Sequence, residues 1–244
     1  MKICAAQTRP TPGNIQANLK NHIELIDLAT VKNANLIVFP ELSLTGYEPE
    51  LAKSLAINTD DSRLEVFQKI SDSSQITISL GAPTIQSGSI NISMLIFQPH
   101  QPIQVYSKQY LHKDEELWFA PGHNSNDFIL DTKIAPAICY EISIPDHANF
   151  ANKNGAEIYV ASVAKSLKGV NDAHNILSEI ASKYAMTVLM SNCIGPCEKG
   201  NYECTGKSSI WDKNGVLLGQ LDDVSEGLLI LNMENKKIVK QVLS

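Results

Sequence analysis

Cys139 closes an apolar run, Ile134-Ala135-Pro136-Ala137-Ile138-Cys139, and Tyr140-Glu141-Ile142-Ser143 leads into a predicted helix. A thiol at a strand-to-helix junction lies beside unpaired backbone N–H groups and the positive end of the helix dipole. Both favour the thiolate, and both can hold an oxyanion. Taken alone, a single cysteine is more often buried and inert. Two upstream segments shift that balance. Leu36-Ile37-Val38-Phe39 reads as a buried parallel strand, stopped by Pro40, which cannot donate to a ladder. Glu41 follows at the carboxyl end, the edge where open α/β sheets bind ligands. A carboxylate there is either a helix N-terminal charge or a general base. The third segment runs from Tyr106 to Gly122 and carries Lys108 and the cluster Asp114-Glu115-Glu116. Its aromatics and Pro121-Gly122 indicate an ordered loop, although charge clusters are usually solvated faces.

These residues need elements to hold them. Lys2–Gln7 reads as a first strand and Asn14–Val31 as an amphipathic helix, with Ile15, Leu19, Ile23 and Ile26 on one face and Asn14 as its N-cap. Leu36–Phe39, Thr77–Gly81, Glu157–Val163 and Thr187–Cys193 read as further strands, and Ser62–Ser71, Ile144–Lys153 and Val170–Ala185 as helices. Ser89–Phe97 and Ile103–Tyr106 pair around a Pro-His-Gln-Pro turn. Phe128–Leu130 and Ile134–Cys139 flank another turn. Thr205–Trp211, Val216–Gln220 and Gly227–Met233 close the pattern. The alternation predicts one layered α/β domain spanning residues 1–244.

The chain has 244 residues, enough to bury a sizeable core, and 43% hydrophobic against 19% charged residues suits a globular protein. A formal net charge of -6 with no basic stripe argues against nucleic acid as a partner. No segment approaches the ~20 apolar residues of a membrane helix. The apolar start Met1–Ala6 is too short for a secretory signal, so a cytoplasmic setting is expected. Five cysteines are too few for a disulfide scaffold and fit a reducing compartment. Cys193, Cys197 and Cys204 lack a fourth nearby ligand, so no metal is expected, and they read as scattered small residues; a redox pair involving Cys197 is an unsupported alternative.

Together the three segments resemble the nitrilase, or carbon–nitrogen hydrolase, superfamily. The apolar strand, Pro40-Glu41 and Thr45-Gly46-Tyr47 match its first motif. Lys108, Leu111, Glu115, Phe119, Pro121 and Gly122 fit the second, and Cys139, Tyr140, Glu141, Pro145, Gly155 and Ala156 the third. Gly206–Gly215 fits a late strand and turn. The resemblance implies an α/β four-layer αββα sandwich of nitrilase type, often paired into homodimers, with no cofactor. It implies a Cys139 thiolate that forms a thioester and Glu41 as the base. Lys108 and the backbone N–H of Tyr140 would hold the oxyanion, and Glu115 would orient Lys108 or the substrate. Asp114 and Glu116 are read as a solvated face. Two departures stand out: Glu141 replaces a common Asp, a structural change, and Ile180-Ala181-Ser182-Lys183-Tyr184 replaces a common Arg-Ala-x-Glu-Asn run.

The implied function is hydrolysis of a non-peptide C–N bond in a small linear amide or N-carbamoyl compound. A nitrilase reaction is the near alternative, and a catalytically idle interaction protein is the alternative of another class. In relatives the segment matching Val163-Ala164-Lys165-Ser166-Leu167-Lys168 lines the pocket, so Ala164 and Lys165 are candidate substrate contacts. Lys165 and Lys168 would suit a substrate carboxylate, against the plainer reading of two exposed lysines. His174 is expected to be an ordinary surface residue at a helix start.

Overall fold

A computed structural model describes residues 1–123, 128–129 and 133–243. In chain order the elements are β1 (Lys2–Gln7), α1 (Ile15–Val31), β2 (Leu36–Val38), α2 (Ala52–Leu55), α3 (Glu65–Ser74), β3 (Thr77–Gln86), β4 (Ser89–Phe97) and β5 (Gln104–Ser107). Then follow β6 (Phe128–Ile129), β7 (Lys133–Ile138), α4 (Pro145–Lys153), β8 (Ile158–Val163), α5 (Leu167–Tyr184), β9 (Thr187–Asn192), β10 (Ile194–Cys197) and β11 (Tyr202–Thr205). The chain closes with β12 (Ser209–Trp211), β13 (Leu217–Gln220), β14 (Gly227–Asn232) and β15 (Ile238–Val242). Leu130, at the end of one expected strand, lies outside the described residues.

The strands form one sheet of order β15-β14-β1-β2-β3-β4-β5, a second of order β13-β12-β9-β8-β7-β6, and a separate β10-β11 ribbon. The centre of each large sheet is parallel: β1-β2-β3 in the first and β7-β8-β9 in the second. These strands are buried on both faces, which is why they are continuous apolar runs rather than alternating ones. Period two then sorts their side chains. Ile3, Leu36 and Val38 point between the sheets, onto Ile134, Ile158, Val160 and Leu189. Cys4, Ile37 and Phe39 point outward onto Leu25, Ile26 and Ala29 of α1 and Phe67 of α3. Ala135, Ala137 and Tyr159 point outward onto α4 and α5. The layers are therefore helix, sheet, sheet, helix, the expected αββα sandwich. Asn14 caps α1 by accepting from the Ala17 N–H at 3.1 Å. Among the described residues no helix is long and apolar enough to cross a membrane.

Several elements differ from the sequence pattern. β3 runs to Gln86 rather than Gly81 and forms a long hairpin with β4. Pro83 inside it is tolerated because β2 pairs only with Thr77–Ser79, and the isolated bridge of Ile57 to Thr84 uses the Pro83 carbonyl and the Ile85 N–H, not the proline nitrogen. The expected Thr205–Trp211 strand is split between β11 and β12, and the β10–β11 ribbon, with Gly195-Pro196 inside it, had been passed over. β15 shows no clear strand pattern in sequence because Lys240 and Gln241 interrupt its apolar residues, as is common at an exposed sheet edge. Finally, α5 starts at Leu167, not Val170.

Gly81 shows how closely the layers seat the Glu41 turn. A Cβ there would stand 2.4 Å from the Leu42 nitrogen and 2.5 Å from the Pro40 carbonyl oxygen. Gly81→Ala should therefore lower stability by about 1–3 kcal/mol. A shift in the urea midpoint at unchanged slope would show it, and an unchanged midpoint would refute the tight seating.

Candidate active site

The candidate residues sit where strands of the two sheets end side by side. Glu41 lies in a tight turn after β2, held by the Ser43 N–H on the Pro40 carbonyl (3.1 Å) and the Leu44 N–H on the Gly81 carbonyl (2.9 Å). Lys108 follows β5; its N–H donates to the Ile92 carbonyl at 2.8 Å, and its carbonyl accepts from Gly122 at 2.7 Å. Gly122 is obligatory there, since a Cβ would lie 2.4 Å from the Ser107 carbonyl oxygen. Cys139 follows β7 and begins a single turn of 3-10 helix, Cys139–Ser143. Its φ of +44° is in the left-handed region, a sparse conformation for a residue with a Cβ.

The side chains meet in a buried cluster. Lys108 is wholly buried, and its Nζ donates to Glu41 Oε1 at 2.8 Å and to Glu115 Oε1 at 2.7 Å. Glu115 is fixed further by the Tyr47 hydroxyl on Oε1 (2.8 Å) and the His112 N–H on Oε2 (2.7 Å). Glu41 Oε2 has no formed hydrogen bond. The Cys139 thiol lies close enough to the Glu41 carboxylate to favour its ionised form, but without the alignment of a formed bond.

Burial and the mutual charges of these groups together set the protonation of the cluster. Burial pushes the Glu41 pKa up, and Glu115 adds to the shift while Lys108 opposes it. For Lys108, burial would favour the neutral amine, but Glu41, Cys139 and Glu115 outweigh it and its pKa rises. The Cys139 thiol is pushed up to about 11 by burial and then by Glu41, against the opposing charges of Lys165 and Lys108. The junction was expected to favour the thiolate; desolvation reverses that, and the resting group is the thiol.

Lys165 is half-buried just beyond β8, and its charge acts directly on Cys139. Its backbone is clamped by Asn192, whose Oδ1 accepts from the Lys165 N–H at 2.8 Å and whose Nδ2 donates to its carbonyl at 3.0 Å. Ala164 is buried in the core between the sheets. Lys168 is exposed on α5. Tyr140 is half-buried, its ring edge-on to His112 at 5.3 Å. Asp114 and Glu116 are exposed, as expected. A cleft of about 210 Å³ reaches Tyr47 and Glu115; its wall includes Glu48, Trp118, Glu198 and Asn201.

Glu141 has a wider structural part than the motif suggested. It accepts from the Ile138 N–H at 2.7 Å, the Gln109 N–H at 2.6 Å and the Tyr106 hydroxyl at 2.9 Å. It thus ties the residue before Cys139 to the residue after Lys108. Burial raises its pKa to about 7, with those hydrogen bonds opposing. His147, which no sequence signal singled out, extends the network to Tyr106 and Tyr159, each at 2.8 Å. Burial lowers its pKa to about 4, so the ring is neutral. With the Tyr106 proton given to Glu141, His147 Nε2–H donates to Tyr106 and Nδ1 accepts from Tyr159. Two other expectations are corrected. His174 is neither at a helix start nor an ordinary surface residue; it is half-buried within α5, edge-on to Trp211 at 5.2 Å and bonded to the Lys207 carbonyl at 3.2 Å. Cys193, Cys197 and Cys204 are not scattered: their sulfurs all lie within 4.8 Å of one another.

The sequence profile of a family described as carbon-nitrogen hydrolase matches residues 2–239. A glutamine-dependent NAD(+) synthetase of Acinetobacter baylyi is 26% identical, the match taking in 98% of this chain but 46% of the synthetase, so the chain spans about half the length of that relative. A 2-oxoglutaramate amidase of Bacillus subtilis is 27% identical, with 78% of this chain and 74% of the amidase covered. A variant of the amidase from Nesterenkonia sp. AN1 has the same fold, with a TM-score of 0.86 at 20% identity over 97% of this chain and 94% of that one. Since its family profile extends over nearly the whole length, the chain belongs to the carbon–nitrogen hydrolase family.

Proposed function

We propose that this chain, as one domain over residues 1–244, hydrolyses a small linear amide or N-carbamoyl compound through a Cys139 thioester. The observation that carries the reading is the Lys108 ammonium clamped between two buried carboxylates beside the thiol. An amide carbon is a poor electrophile, so attack needs a nucleophile, a base and a site for the developing charge. A thiol with a raised pKa and a carboxylate with a raised pKa are matched for proton transfer. In this mechanism Glu41 takes the Cys139 proton as sulfur bonds to the carbonyl carbon. The oxyanion is held by Lys108 and the Tyr140 N–H. Collapse breaks the C–N bond, and the proton on Glu41 leaves with ammonia. Glu41 then deprotonates a water, which attacks the thioester and releases the acid and the Cys139 thiol. Glu115 keeps Lys108 aimed rather than moving protons itself, since both its oxygens are already occupied. The similarity to a 2-oxoglutaramate amidase supports an amide substrate.

Ammonia release from purified protein, compared over amides, N-carbamoyl compounds and nitriles, identifies the class; release from nitriles alone would overturn the amide reading. On the substrate so found, Cys139→Ser should keep the fold and abolish turnover, because a hydroxyl ionises far less readily than a thiol. Lys108→Arg should cut the rate by ~10² or more, as a planar fork cannot replace a point donor in a closed cluster. Near-native rates in either variant would count against these roles.

Lys165 supplies a cation near the thiol, and sheltered charge-assisted hydrogen bonds are worth about 1.5–3 kcal/mol. Lys165→Ala should therefore raise KM for a carboxylate-bearing amide roughly ten- to a hundred-fold and barely change a neutral one. Equal effects on both would remove Lys165 from substrate recognition.

A further inference from the structure

The hydrolytic steps use Cys139 and leave the three clustered thiols without a role. Cys193 immediately follows β9, Cys197 ends β10 and Cys204 lies in β11. All three are free and nearly inaccessible, at 2–3% exposure, in the core between the sheets. Cys197 Sγ and Cys204 Sγ are 2.8 Å apart, well inside ordinary contact for two sulfurs that are not bonded. They lie on facing strands of a ribbon whose register pairs Cys197 with Tyr202 and Gly195 with Cys204.

We propose that Cys197 and Cys204 are a redox modification site, forming a reversible disulfide across the β10–β11 ribbon with a peroxide as oxidant. The order of events follows from the surroundings. Hydrogen bonds from Cys193, then Cys204, and also from Tyr202 favour the Cys197 thiolate over its buried thiol, while Cys204 is held protonated. The Cys197 thiolate attacks one peroxide oxygen; the O–O bond breaks, giving a sulfenic acid and hydroxide, which takes up the proton Cys197 had lost. The Cys204 sulfur then attacks the Cys197 sulfur, the S–O bond breaks, and the Cys204 proton leaves with the hydroxyl as water. The two thiols are oxidised, and one peroxide is reduced to two waters.

A metal centre is the competing use of three sulfurs, and charge argues against it. Three thiolates around a soft monovalent or divalent ion would leave net negative charge in a core where Glu41 already acts on Cys193 and Glu48 is influenced by Cys197. A disulfide is neutral and removes the thiolate from that environment. The ribbon also borders the catalytic cluster. Glu198 donates its N–H to the Tyr47 carbonyl at 2.9 Å, and Tyr202 packs edge-on to Tyr47 at 6.1 Å. Tyr47 in turn holds Glu115. Closing the bond ties the two strands of this wall together.

The test uses the full chain carrying Cys139→Ser, so that the candidate nucleophile does not consume oxidant. After treatment with excess hydrogen peroxide, alkylation and non-reducing trypsin digestion, peptides 184–199 and 200–207 should be recovered joined, and dithiothreitol should separate them. Adding Cys193→Ser should keep the joined species, and adding Cys204→Ser should eliminate it. Separate, fully alkylated peptides after peroxide would overturn the proposal. So would a joined species that survives Cys197→Ser, which would assign the bond to Cys193. One equivalent of zinc or copper in the purified protein, blocking oxidation and lost with Cys204→Ser, would replace the disulfide with a metal centre. The readout is a covalent link, so it stands or falls independently of the hydrolase mechanism.

Discussion

A lysine ammonium with no access to water governs the design of this protein. Lys108 can stay charged in the core because two carboxylates face it at hydrogen-bond distance. Removing one partner of a buried ion cluster typically costs about 3–5 kcal/mol, so each group depends on the others being in place. Lys108, just after β5, and Glu115, in a short turn, are near neighbours in the chain, while Glu41 comes from a distant turn after β2. Much of the surrounding backbone bonding serves to bring these ends together. The packing of Gly81 under the Glu41 turn and of Gly122 against Ser107 belongs to the same constraint.

The two sheets are held in register by polar contacts as well as by apolar packing. Ser162 on β8 donates to the Phe39 carbonyl at 2.8 Å, and Ser191 on β9 donates to the Val38 carbonyl at 2.7 Å. Both bonds cross between sheets at the end of β2, immediately before Glu41. They satisfy buried carbonyls there, where an unpaired polar group would be costly. Glu141 does similar work on the other side, joining the Lys108 and Cys139 segments through backbone N–H groups. The segments that carry Glu41, Lys108 and Cys139 are thus held together through backbone groups.

Burial disfavours the thiolate at both Cys139 and Cys197, yet their protonation differs. At Cys139 desolvation and Glu41 keep the thiol protonated. At Cys197 hydrogen bonds from neighbouring thiols outweigh desolvation and favour the thiolate. The difference lies in what each sulfur faces: a carboxylate in one case, hydrogen-bond donors in the other.

Much of this was legible in the residue order. Apolar runs ended by Pro40-Glu41 and by Cys139, with Lys108 between them, announced strands whose carboxyl ends carry polar groups. The 3.6 periodicity of α1 and the Asn14 cap placed that helix to the residue. These are local signals, written into neighbouring side chains. What local order does not encode is which distant groups become neighbours and how little water remains among them. Tyr47 on Glu115, His147 between Tyr106 and Tyr159, and His174 against Trp211 are contacts between elements that no spacing reports. The three cysteines read as scattered because the Gly195-Pro196 ribbon that folds them together lacked a strand pattern. The protonation of Cys139 likewise followed from burial, a property of the packed sheets. The sequence determined the strands, the helices and the chemical groups at their ends; the tertiary structure decided their partners and their charge, because desolvation and long-range pairing exist only once the two sheets have closed on each other.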